Sequence, residues 1–91
     1  MKKQKESKVN HVRMLFGKRM KEVRTSKPWY LKQLSDACGI AETELSKIEL
    51  GKKSVTNVTE AIIIIAFGLT HEEFFATEAY RNLAETFKQL S

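Results

Sequence analysis

The densest hydrogen-bonding chemistry in this chain lies between Glu42 and Lys53. Thr43, Ser46 and Lys47 recur there at the spacing of one helical face, with Glu42 leading them and Leu50 following. Lys52 and Lys53 stand just beyond, after Gly51. Hydroxyls both donate and accept, an ammonium only donates, and a carboxylate only accepts. Such a set suits recognition of other polar groups rather than bond breaking. No Ser/His/Asp set, metal-ligand spacing or phosphate-cradling glycine loop is present, so no enzyme is expected. Cys38, His11 and His71 fall short of a four-ligand zinc site, and neither metal nor cofactor is expected. A lone cysteine also excludes an internal disulfide framework and agrees with a reducing cytoplasm.

The charge around this stretch is uneven. Residues 1–27 hold ten Lys or Arg against Glu6 and Glu22, a balance of +8, residues 28–53 are neutral, and residues 54–91 carry −3. One end of the chain therefore suits a polyphosphate, the other solvent or a protein. The longest apolar run, Ala61 to Phe67, is far shorter than the ~20 residues needed to span a bilayer. The lysine-rich start leads into Asn10, His11 and Arg13 rather than an apolar signal region, so a cytoplasmic location without membrane contact is expected.

The elements that must hold these residues read as helices throughout. The 91 residues fit one domain. Residues 1–8 are polar and read as a basic flexible arm. Val12, Leu15, Phe16, Met20 and Val23 then mark a first helix from Val9 to Arg24, ended before Pro28. A second helix, Trp29 to Cys38, presents Leu31, Leu34 and Cys38 and stops at Gly39. A third, about 41–50, turns Leu45 and Ile48 inward. Thr56 caps a fourth helix that ends near Phe67, with Ile63, Ile64 and Phe67 on its core face. Thr70 and Glu73 form a capping box for a short fifth helix bearing Phe74 and Phe75. Residues 76–91 read as one sixth helix striped with Tyr80, Leu83, Phe87 and Leu90. The expected fold is all-α.

Two short helices meeting at Gly39, locked by Leu34 and Cys38 before it and Leu45 and Ile48 after it, have the pattern of a helix-turn-helix. The stretch LKQLSDACGIAETELSKIELGKK, with FGKRMKEVR before it and AFGLTHEEFF after it, resembles the phage-repressor-like family of Cro/C1-type, or XRE-type, regulators. The resemblance covers residues 15–75. It implies a five-helix lambda-repressor-like domain over 9–75 with an additional C-terminal helix, a helix-turn-helix at 29–50 and a recognition helix at about 41–50. It implies sequence-specific binding of double-stranded DNA by a transcriptional regulator, the third helix lying in the major groove. With Leu45 and Ile48 inward, Thr43, Ser46, Lys47 and Leu50 fall on the outward arc and Glu42 on its leading flank, so these five are the candidate base contacts. Lys47 can donate to guanine, Glu42 can accept from cytosine, and Leu50 can lie against a thymine methyl. Tyr30, Lys32, Lys52 and Lys53 are the candidate phosphate contacts. Tyr30 and Leu31 replace the Ser-Gln that commonly opens the second helix in the family, leaving only the Tyr30 hydroxyl for phosphate. Arg24 and Glu49 match family positions that often pair.

Val58, Ala61, Ile62 and Ile65 fall opposite the core face of the fourth helix, and a helix apolar on both sides must be covered on both sides. Together with Tyr80, Leu83, Phe87 and Leu90 they form the expected homodimer interface, whether the C-terminal stripe packs within the chain or across a two-fold axis. Three readings compete within DNA binding: a phage-type repressor, an antitoxin that represses its own operon and a restriction–modification controller. A fourth keeps the fold as a protein-interaction module, and a toxin or another regulator is a candidate protein partner.

Overall fold

The computed structural model describes the backbone of residues 2–90 and the side chains of residues 6–89. Seven helices and no strand make up the described residues: α1 (Lys2–Ser26), α2 (Leu31–Cys38), α3 (Glu42–Glu49), α4 (Asn57–Ala66), α5 (His71–Phe75), α6 (Glu78–Arg81) and α7 (Leu83–Leu90). None of them is long and apolar enough to cross a membrane.

The α1 helix is the shaft of the molecule. Its 25 residues span about 37 Å at 1.5 Å per residue, close to the 40 Å longest dimension. It begins at Lys2 rather than Val9, so helix runs through the segment expected to be a flexible arm. Lys, Gln and Glu there are strong helix formers even without apolar periodicity. Helix α7 packs on α1 from Lys8 onward.

The core sits on the other half of α1. Phe16, Met20 and Val23 from α1 meet Leu34, Leu45 and Ile48 from the α2–α3 pair, and Ile63, Ile64, Phe67 and Phe74 close it from the far side. Trp29 stacks on Phe67 with ring centroids 6.1 Å apart, a packing role. The β-branched run Ile62–Ile65 is helical because caps bound it. The Thr56 hydroxyl accepts from the Thr59 N–H at its start. At α5, Thr70 and Glu73 form the expected reciprocal box, with bonds of 3.1 and 2.9 Å.

The C-terminal segment departs from expectation in its continuity. It is two helices, not one, divided at Asn82, whose ψ of 9° interrupts the helical run. Asparagine competes for backbone hydrogen bonds and tolerates such a step. Its apolar stripe packs within the chain, Tyr80 lining a cleft with Glu60 of α4 while α7 lies along α1. The two run antiparallel: Lys8 lies 5.8 Å from the Phe87 ring centre, and Arg19 donates to the Phe74 carbonyl. Tyr80 meets Phe75 edge to face at 4.8 Å.

Candidate nucleic-acid interface

The α2–α3 pair is positioned by main chain, by one buried ion pair and by three fully buried side chains. The turn is made at Gly39, whose φ of 76° lies in the left-handed region that favours glycine. Its N–H donates to the Ser35 carbonyl at 2.8 Å, and the Ser35 hydroxyl donates across the turn to the Ile40 carbonyl at 2.6 Å. Leu34, Leu45 and Ile48 then fix the angle from inside.

At its far end α3 is clamped onto α1. Arg24 donates two bonds to the Glu49 carboxylate, Nε to Oε2 at 2.6 Å and Nη2 to Oε1 at 3.0 Å. A third, from Nη1, reaches the Trp29 carbonyl at 2.7 Å. The two side chains are only 10% and 7% exposed. The Glu49 hydrogen bond and charge outweigh burial and hold the Arg24 guanidinium above its ordinary pKa. This fork geometry is the strong form of ion pair, and losing one partner strands a buried charge. Sequence matching anticipated the pair.

Sequence reasoning missed Gly17. A Cβ there would collide with the main-chain carbonyl oxygens of Ile48 and Glu49, lying 2.5 Å from the latter. Helix α1 thus touches the end of α3 backbone to backbone. The only signal in the sequence is a glycine inside a helix, where it is normally unfavourable.

The outward arc of α3 emerges as expected, with differences along it. Glu42, Thr43 and Lys47 are exposed, and Ser46 is half-buried. Leu50 is 61% exposed but caps the C-terminal end, where it shares a cleft with Met14 and Leu15 of α1 and Asn82 and Thr86 of the C-terminal segment. Tyr30 is 79% exposed beside α2. Its backbone N–H, not its hydroxyl, makes the capping bond, to Gln33 at 2.7 Å. The lysines divide. Lys32 pairs with Asp36 at 3.4 Å, and Lys53 pairs with Glu44. Lys47 and Lys52 enter no ion pair among the described residues. The Glu44–Lys53 pair neutralises one of the two carboxylates, Glu42 and Glu44, in the first turn of α3. Exposed pairs of this kind hold by less than about 1 kcal/mol.

The residues grouped as a dimer interface separate. Val58, Ile62 and Ile65 are exposed, at 69%, 40% and 68%, and Ala61 is half-buried. Tyr80, Leu83 and Phe87 are half-buried inside the chain, and the Leu90 side chain lies outside the described residues. Comparison with family models, with curated proteins and with solved structures finds no match for this chain.

Proposed function

We propose that this protein is a sequence-specific DNA-binding transcriptional regulator of the phage-repressor-like helix-turn-helix kind, without catalytic activity. The observation that carries the reading is the α2–turn–α3 unit: its inner face is fully committed to the core while Thr43, Ser46 and Lys47 of the outer arc remain available. Helix α3 enters the major groove in this reading, Lys47 donating to guanine and the two hydroxyls serving either role. Lys52, Lys32 and Lys53 hold phosphate, and the +8 balance of residues 1–27 draws the duplex in. The exposed strip Val58, Ile62 and Ile65 supports a homodimer, which would offer two recognition helices to a symmetric operator.

Selection of bound duplexes from a random pool tests this reading, and a two-fold symmetric site is the expected product. On that site Lys47→Ala should cost about 1–3 kcal/mol and relax preference at one base pair. Lys52→Ala should weaken all duplexes alike and shallow the salt slope by about one unit. No preferred duplex, with a flat salt response, overturns the proposal. It would favour the alternative of a protein-interaction module, to which Glu42 and the apolar α4 strip point.

A further inference from the structure

The C-terminal end of α3 opens onto a cleft of about 640 Å³ that the base and phosphate assignments leave unused. Met14 of α1 and Leu50, the last residue of the outer arc, line it at 62% and 61% exposure, an apolar floor open to solvent. Its polar lining comes from His11 and Lys18 of α1 and from Asn82 and Thr86 of the C-terminal segment. The way the chain leaves α3 fixes this place. Gly51 turns with a φ of 74° and lies on α1, so that a Cβ there would stand 3.1 Å from the Met14 Cα. The loop carrying Lys52 therefore starts from the same turn of α1 that floors the cleft.

The charges decide what the cleft takes. Its one carboxylate, Glu49, is spent on Arg24. Lys18 is exposed and enters no ion pair among the described residues. Asn82, also exposed, accepts from Thr86 through its backbone carbonyl, which leaves its side-chain amide open. An uncompensated ammonium and an open amide beside an apolar floor suit a phosphodiester and its sugar, anionic oxygens toward the donors and carbons toward the floor. Leu50 belongs both to this cleft and to the arc assigned to base edges, so the two surfaces are continuous. A strand read by α3 must pass one end of that helix, and at its C-terminal end the cleft is the adjoining surface.

We infer that one DNA strand, just outside the base pairs read by α3, lies in this cleft, its phosphate held by Lys18 and Asn82 and its sugar against Met14 and Leu50. The inference rests on the DNA-binding reading and adds to the bound surface the C-terminal segment, which lies outside the helix-turn-helix.

The test is binding of the selected duplex to the full chain across a salt series, with ethylation interference marking the phosphates held. Lys18→Gln should weaken binding by about tenfold at low salt and shallow the salt slope by about one unit. It should also erase one flanking phosphate while the preferred base sequence stays the same. Asn82→Asp places a carboxylate in the cleft without disturbing the helix it opens, because Asp caps a helix as well as Asn. It should weaken the duplex by a similar factor, and the effect should shrink at high salt. Lys88→Gln, the same charge change on an exposed lysine outside the cleft, should leave slope and footprint alone. Unchanged binding by either cleft variant would overturn the inference and leave the DNA-binding reading standing. A wild type that binds no duplex would overturn both. Concentration-dependent amide shifts at Met14 and Leu50 without DNA would also overturn it, because a second copy would then fill the cleft.

Discussion

The two halves of α1 are packed to different standards. From Phe16 onward it meets a core in which Met20, Leu34, Leu45, Ile63, Ile64 and Phe74 are wholly buried and the middle of α1 meets the end of α3 backbone to backbone. Ahead of Phe16 it meets α6 and α7, where Tyr80, Leu83 and Phe87 are half-buried, Val9 and Val12 stay partly exposed, and a cleft remains. The same helix therefore serves a rigid unit that fixes α3 and a looser layer with room in it. Close packing is what converts a contact into a fixed position, so α3 is held in place by the C-terminal half of α1.

Four measurements would break or sharpen that contrast. The largest effect should come from Gly17→Ala, which forces a methyl group against two main-chain carbonyls that no rotamer change can relieve. A loss of about 3 kcal/mol is expected in denaturant unfolding, and an unchanged midpoint would show that α1 and α3 are not held in contact. Next, Phe87→Ala in the looser layer should cost less, about 2 kcal/mol, since the side chain is only partly buried. Hydrogen exchange in α7 should then quicken while α3 stays protected. Equal quickening in both would mean a single cooperative unit.

The double variant Ile62→Glu, Ile65→Glu lies on the exposed side of α4 and belongs to neither half. Its stability should change by less than about 0.5 kcal/mol for each site, whereas a wild-type dimer seen in sedimentation should become a monomer. The smallest effect is a pH dependence in the looser layer. Tyr80 keeps its proton to about 12 in the folded chain because burial and Glu60 disfavour the phenolate, against an ordinary value of 10.0. The unfolded chain releases that proton first, so this contribution is intact below pH 10 and is lost as pH rises toward 12. Comparing wild type with Tyr80→Phe across that range isolates it, and identical pH profiles would place Tyr80 in solvent.

Much of the rigid half was legible because it obeys local rules. Periodicity located Phe16, Met20 and Val23, the caps at Thr56 and Thr70 set two helix starts, and Gly39 marked the turn. The outward arc of α3 followed from placing Leu45 and Ile48 inside. What escaped depends on which elements meet. Nothing local shows that Gly17 faces another backbone, that Lys53 reaches Glu44, or that α7 lies along α1. The helical Lys2–Ser7 stretch was hidden for another reason: it has helix propensity without an apolar face.

The glycine contact at Gly17 has a consequence for how such a molecule can diversify. Helix α3 is located by its own carbonyls, by Glu49 and by two inward aliphatic residues, none of which lies on the outer arc. Thr43 and Lys47 carry none of the weight of the fold, so exchanging them leaves the scaffold's free energy almost where it was. A lineage built this way can wander through many outer surfaces by single steps, each intermediate as well folded as the last, while the residue without a side chain stays where it is.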